Sequence, residues 1–133
     1  MPRLFIPLYF LLPACAASDL DLNRCEQLSG AAIAHTFAGV VDTAIVKDLE
    51  HGRATNHWYD DGRFTSEWSS KDSGGVVSGT WHVEGDQRCV VVASGLADRN
   101  EHKTCSPLYQ CRDNIVSVNA DGSVHGVHHV EGL

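Results

Sequence analysis

The chain has 133 residues and is acidic, with 17 Asp and Glu against 10 Lys and Arg and a formal net charge of −7. An acidic surface repels nucleic-acid phosphates and anionic membrane faces, so neither is expected as a partner. Hydrophobic residues make up 43% of the chain and charged residues 20%, which fits one folded domain and not a disordered chain.

The first 17 residues, MPRLFIPLYFLLPACAA, predict a secretory signal peptide. They combine one early Arg, an apolar run and small residues at a cleavage site. The run from Leu4 to Leu12 is much shorter than the roughly 20 residues of a membrane-spanning helix, so no transmembrane span is expected. We therefore expect a single β domain over residues 18–133, periplasmic or secreted. In an alternative interpretation, Leu12 to Cys15 form a lipobox and Cys15 carries a lipid anchor.

Four further cysteines predict two disulfide bonds: Cys25, Cys89, Cys105 and Cys111. An even number in an exported domain is typical of disulfides, and a zinc site is not expected because no C-x-x-C pair is present. The segments that contain Cys89 and Cys105 flank one loop, which favours a bond between these two residues and leaves Cys25 with Cys111. The closest alternative pairs Cys89 with Cys111.

The remaining pattern predicts one short helix and then an antiparallel meander. The helix lies within Leu28 to Phe37, with Ser29 as its cap and Gly39 as its stop, and should cover an end or edge of the domain. Runs rich in Val, Thr and aromatic residues follow, separated by turn signals at Asp60-Asp61-Gly62, Ser73-Gly74-Gly75, Gly85-Asp86 and Asp121-Gly122. The predicted strands are Val40 to Lys47, Arg53 to Tyr59, Arg63 to Ser69, Val76 to Glu84, Gln87 to Ser94, Leu108 to Asn119 with a break near Arg112, and Ser123 to Val130. The expected fold is mainly β, a small antiparallel barrel or sandwich.

The aromatic residues set the expected strand register, because a one-residue slip would expose them. A register with Trp58 and Trp81 on either side of Phe64, and Val77 near Trp68, places all three tryptophans in the core. A core filled by three tryptophans leaves little room for an internal ligand. Binding would then be expected at a rim, a loop or the outer face.

Several motifs resemble a group of exported bacterial domains of unknown function that are described as calycin-like or lipocalin-like. The motifs are the Y-x-x-D-G strand pair within Trp58 to Phe64, the G-T-W strand within Ser78 to Cys89, Cys105 in the next segment, and Asp121-Gly122. The resemblance covers about residues 28 to 130. It implies a small β fold and supplies no catalytic residues.

Histidines are the first candidates for metal ligands, since three lie within five residues at His125, His128 and His129. On a strand, His125 and His129 would share a face about 13 Å apart, while His128 would point the other way. We therefore expect no metal site and a solvated C-terminal strand. His57 and His82 are expected on the outer face of the sheet, with Thr65 between them.

Nothing in the sequence predicts a catalytic residue or a cofactor site, so an enzyme is not expected. No nucleophile elbow of the form G-x-S-x-G is present. One remaining hypothesis is a non-catalytic module that binds a small apolar or peptidic ligand at the closed end of the barrel or on a concave face of the sheet. The alternative is an envelope interaction protein, such as an inhibitor or assembly accessory, that uses the polar loop from Gly95 to Thr104.

Overall fold

A computed structural model of the chain describes residues 20–96 and 101–131. The expected signal peptide and Cys15 lie outside these residues, as does the middle of the polar loop. The described residues form a closed antiparallel β-barrel with one α-helix. The expected mainly β class is confirmed, and of the two expected architectures the barrel is the one observed. Among these residues, no helix is long and apolar enough to cross a membrane.

Eight strands make the ring, and each is antiparallel to its neighbours. A 3-10 turn (Leu22–Arg24), a short strand β1 (Glu26–Gln27) and helix α1 (Gly30–Phe37) precede them. The ring strands are β2 (Val40–Val46), β3 (Gly52–Trp58), β4 (Arg63–Ser69), β5 (Gly74–Glu84), β6 (Gln87–Ser94), β7 (Lys103–Cys111), β8 (Asn114–Val118) and β9 (Val124–Val130). Consecutive strands pair, and β9 also pairs with β2, which closes the ring. Strand β1 adds to the edge of β7.

Helix α1 closes one end of the barrel, as its amphipathic pattern predicts. The Ser29 hydroxyl caps it by accepting a hydrogen bond of 3.1 Å from a backbone N–H three residues later. The backbone N–H of Gly30 donates to the Asp86 carboxylate at 2.8 Å, which ties the helix to the β5–β6 turn. Ile33 and Phe37 are fully buried on the face that meets the barrel. They join the main core cluster, whose other buried members are Trp58, Phe64, Val77, Trp81, Leu108, Ile115 and Val130.

The disulfides join the pairs expected from the sequence. Cys89 and Cys105 occupy paired positions on β6 and β7, with their Cα atoms 4.0 Å apart. Cys25 and Cys111 have Cα atoms 4.7 Å apart and attach the segment before α1 to the end of β7. The second bond belongs to a smaller apolar cluster on the outside of the barrel, which includes Val116 and Val118.

The expected register is confirmed for β3 and β4 but wrong by two residues for β5. Trp58 pairs with Phe64 as predicted. Phe64 then pairs with Gly79 and not with Trp81, and Trp68 pairs with Gly75. A shift of two residues preserves the face of every side chain, so Trp81 still points inward.

The position of the β4–β5 turn explains this shift. The sequence suggested a turn at Ser73-Gly74-Gly75, but the four residues from Ser70 to Ser73 form it, and both glycines belong to β5. The Ser70 N–H donates to the Ser73 carbonyl at 2.7 Å. A Cβ atom on Gly79 would lie 1.9 Å from the backbone oxygen of Val91 on β6 and 2.9 Å from Cε1 of Phe64 on β4, so only glycine fits between these two strands.

Strand β7 also differs from its prediction. It starts at Lys103, which pairs with Val91, and not at Leu108. The break expected near Arg112 is confirmed, because this residue has φ 56° in the tight β7–β8 turn. The polar run before Leu108 carries little apolar alternation, and its strand structure comes from pairing with β6.

Candidate functional site: the cavity inside the barrel

The barrel encloses a cavity of about 530 Å³. One end is filled by the core cluster and α1, and the other is surrounded by the β2–β3, β4–β5, β6–β7 and β8–β9 loops. Leu49, Leu96 and Asn119 extend the lining into three of these loops. Small-molecule sites typically have volumes of about 300–1,000 Å³, so the cavity has the size of a ligand site.

The cavity exists because small side chains occupy inward positions halfway along the strands. Ala44, Ala54, Ser66 and Gly126 all line it. Larger apolar side chains complete the wall, among them Val46 on β2, Trp68 on β4, Val77 on β5, and Val90 and Val92 on β6. The mid-barrel layer therefore holds too little side-chain volume to fill the interior.

The expectation of a core filled by three tryptophans is therefore wrong. Trp58 and Trp81 are 3% and 8% exposed and belong to the core at the helix end. Trp68 is only partly buried and forms part of the cavity wall. Alternation assigned the inward face correctly, but it carried no information about how much volume the inward side chains leave empty.

A polar group of residues, which we call the floor network, lies at the closed end of the cavity around Asp42. This carboxylate is fully buried and accepts hydrogen bonds from Asn56 Nδ2 and His128 Nδ1, both at 2.9 Å, and from Trp58 Nε1 at 2.5 Å. Burial alone would raise the pKa of Asp42, but these hydrogen bonds, that from His128 foremost, outweigh it and lower the pKa. Asp42 is therefore ionised, and three donors satisfy it.

His128 is the histidine of the floor network, and its prediction as part of a solvated strand is wrong. It is 4% exposed, because the inward face of β9 carries Gly126, His128 and Val130. Burial lowers its pKa and the nearby Arg88 lowers it further, although Asp42 opposes this. The imidazole is therefore neutral at pH 7. Its Nδ1–H donates to the Asp42 carboxylate, which only accepts, and its Nε2 accepts from the hydroxyl of Ser117 at 2.9 Å.

Ser117, His128 and Asp42 are thus connected in the order of a serine-hydrolase triad. A nucleophile must be reached by its substrate, but Ser117 is 0% exposed and is not part of the cavity lining. The three groups satisfy each other's hydrogen bonds in the interior, which is the common arrangement of buried polar groups. We therefore assign them a structural role.

Arg88 lies beside this network and is only 6% exposed. Its guanidinium contacts two rings that are nearly perpendicular to each other, with Cζ 4.0 Å from the ring centroid of Trp58 and 4.6 Å from that of Phe37. Burial lowers the pKa of Arg88 to about 10 although the charge of Asp42 opposes the shift, so the group remains cationic at neutral pH. It also lines the cavity.

Unpartnered donors distinguish the cavity chemically. Within the part of the chain that the structure describes, three buried side-chain polar atoms have no hydrogen-bond partner: Nε and Nη1 of Arg88 and Nε1 of Trp68. All three are donors, and both residues line the cavity. An unpaired buried polar group costs about 1–3 kcal/mol, so acceptor atoms are what this interior lacks.

Sequence reasoning missed Arg88, although a signal was present. Arg88, Val90 and Val92 alternate along β6, and this period of two places a charged residue on the same face as two apolar ones. All three line the cavity.

The other histidines lie outside the floor. His125 bonds to Asp48 at the cavity mouth, and His129 is exposed. His57 stacks on Tyr59 with ring centroids 3.9 Å apart. His57, His125 and His129 are not brought together with His128 around one point.

His82 is exposed on the outer face, where its Nε2 lies 2.7 Å from Oε2 of Glu84. It is not next to Thr65 as the predicted register suggested, because Thr65 pairs with Ser78. His82, Glu84 and Cys89 lie close enough together to suggest a metal site. The sulfur of Cys89 is bonded to Cys105, however, and is not available as a thiolate ligand.

Comparison of the chain with protein-family models, with curated proteins and with solved structures finds no significant match.

Proposed function

We propose that the domain is a non-catalytic binding module that holds one small, mainly apolar molecule inside its barrel. The observation that carries the proposal is the 530 Å³ cavity with one closed end, which is lined by both apolar and polar side chains. The motifs that resemble calycin-like exported domains support it, since barrels of that kind hold ligands at their centre.

In the alternative hypothesis, the polar loop from Gly95 to Thr104 contacts a protein partner. Its position favours the binding of a small ligand instead. Leu96 and His102 from this loop and Thr104 at the start of β7 line the cavity. A loop that contributes to the lining is suited to contact a bound molecule. Of the two hypotheses, the structure therefore supports a small ligand better than an envelope protein.

The two disulfides support a site of action in the periplasm or outside the cell. Disulfides persist in oxidising compartments and are rare in the cytosol. The expected signal peptide in residues 1–17 points to the same compartments.

The test measures the binding of a neutral apolar fluorescent probe, N-phenyl-1-naphthylamine, to the wild type and to a variant whose cavity is filled by a larger side chain. We expect saturable binding of one probe per domain. Ala54→Phe places a large ring on an inward position and should weaken binding at least tenfold. Thr55→Phe, its matched control, adds the same ring on the exposed neighbour and should bind as the wild type does.

Absence of saturable binding, or equal binding by Ala54→Phe and the wild type, would contradict the proposal. Circular dichroism shows whether each variant folds. If Ala54→Phe does not fold, Ser66→Leu replaces it, because Ser66 also lines the cavity, and Glu67→Leu on the exposed face is its control.

A further inference from the structure

Arg88 retains hydrogen-bonding capacity that nothing else in the described structure uses. Its Nε and Nη1 atoms are buried without a partner, while the rings of Trp58 and Phe37, whose planes are 77° apart, pack against the guanidinium from two directions. These contacts leave the N–H groups of Nε and Nη1 without an oxygen acceptor. Because Arg88 lines the cavity, an acceptor for these groups can enter from the barrel interior.

Asp42 is the carboxylate whose charge acts on the pKa of Arg88, but it does not provide that acceptor. Its two oxygens already accept from Asn56, Trp58 and His128, and no hydrogen bond joins it to Arg88 among the described residues. Asp42 balances the charge of Arg88 over a distance, which makes burial of the cation tolerable. Hydrogen bonding at the floor is therefore satisfied for the anion and incomplete for the cation.

From this asymmetry we propose that Arg88 binds the carboxylate of an amphipathic ligand whose apolar body occupies the cavity above it. This inference rests on the proposed function and specifies its ligand class. A carboxylate supplies oxygen acceptors with the planar geometry that a guanidinium matches. The apolar walls formed by Val77, Val90 and Val92 then contact a hydrocarbon chain.

The charge of the lining favours a carboxylate over a phosphate monoester. Arg88 is the one Arg or Lys among the described residues that line the cavity, and Asp42 lies close to it. A carboxylate adds one negative charge beside the Asp42–Arg88 pair and offers acceptors to the unpartnered N–H groups of Arg88. A phosphate monoester brings nearly two charges and three oxygens, and would need more donors than the floor offers.

The experiment compares decanoate with 1-decanol, which have the same chain length and differ in the head group. Displacement of N-phenyl-1-naphthylamine at pH 7.5 gives both affinities. We expect the wild type to prefer decanoate at least tenfold. Arg88→Met should weaken decanoate binding at least tenfold and change decanol binding less than twofold. Arg53→Met, which removes an exposed Arg from the outer face, should change neither.

Each other outcome overturns the inference in a recognisable way. Equal affinity of the wild type for decanoate and decanol excludes a bond between Arg88 and the carboxylate, but it leaves binding inside the barrel intact. Failure of the probe itself to bind excludes the proposed function. Tighter binding of decyl phosphate than of decanoate excludes the carboxylate. If Arg88→Met does not fold, the wild-type preference decides alone, and a preference below tenfold overturns the proposal.

Discussion

At the scale of single residues, the floor network explains why buried charges are tolerated in this interior. Asp42 has three donors and Arg88 has two aromatic faces, so each ion is compensated by different neighbours. Removing one partner of such an arrangement leaves the other buried without compensation. The network is therefore sensitive to the loss of any one charge.

Asp42→Asn should lower the free energy of unfolding by about 3–5 kcal/mol. The substitution removes the anion that compensates Arg88, and the NH2 group of the amide would face hydrogen-bond donors where a carboxylate oxygen accepts from them. Asp48→Asn makes the same change at the cavity mouth, where the Asp48 side chain is 43% exposed. It should cost less than about 1 kcal/mol. Urea unfolding at pH 7.5, followed by tryptophan fluorescence, measures both. Equal losses would contradict the role assigned to Asp42.

The pH dependence of stability should report His128. Its folded pKa is lower than the ordinary value of 6.5, so below that pH the unfolded chain binds a proton that the folded domain resists. Stability therefore decreases as the pH falls through this range, at most by about 1.4 kcal/mol per pH unit for one group. The lowered pKa of Asp42 acts in the same direction, but only near and below its ordinary value of 3.8.

His128→Asn keeps a donor near Asp42 and removes this titration. Between pH 7.5 and 5.5, it should lose less stability than the wild type loses. His129→Asn alters the exposed neighbour and should keep the wild-type loss. Urea unfolding at the two pH values gives the comparison, and identical losses in all three proteins would show that His128 is not the titrating group.

At the scale of elements, the two disulfides constrain very different lengths of chain. Cys25–Cys111 spans a sequence separation of 86, and Cys89–Cys105 spans 16. Loop-closure entropy grows with the logarithm of that length. The longer bond should therefore stabilise the fold more.

Replacing both Cys25 and Cys111 by Ala should destabilise the domain by about 1.5 kcal/mol more than replacing Cys89 and Cys105, from the chain-entropy estimate. Urea unfolding of the two double variants tests the difference. The reverse order would show that pairing within β6 and β7 matters more than restriction of the unfolded chain. Peptide mapping without reduction is the control that each remaining bond is intact.

Sequence patterns predicted the elements well wherever local chemistry determines them. Ser29 and Gly39 flank the helix, and the turn at residues 60 to 62 fixes the register of Trp58 against Phe64. The β5 register depended on a choice between turn glycines and strand glycines. Gly79 is in the strand because Val91 and Phe64 on the two neighbouring strands leave no room for a Cβ atom, and such a requirement is not visible within a local window.

At the scale of the whole molecule, the ligand site was harder to predict than the barrel that contains it. The cavity depends on Ala44, Ala54, Ser66 and Gly126, which lie on four strands and meet only in the closed ring. The floor network likewise joins Asp42 on β2 to His128 on β9. The volume of the cavity and the hydrogen bonding of its floor both depend on residues from distant segments. The alternation of inward and outward side chains along one strand is a local pattern.

Closure of the ring also determines the order in which this chain can reach its native state. Strand β2 pairs with β9 across nearly the whole domain, with Asp42 opposite Val130 and Thr43 opposite His129. Before β9 arrives, β2 has an unpaired edge and the Asp42 carboxylate lacks the hydrogen bond from His128. A chain that emerges from the ribosome N-terminus first can therefore complete this barrel only after β9 has been released. Until then, a chaperone or protease would encounter an open sheet.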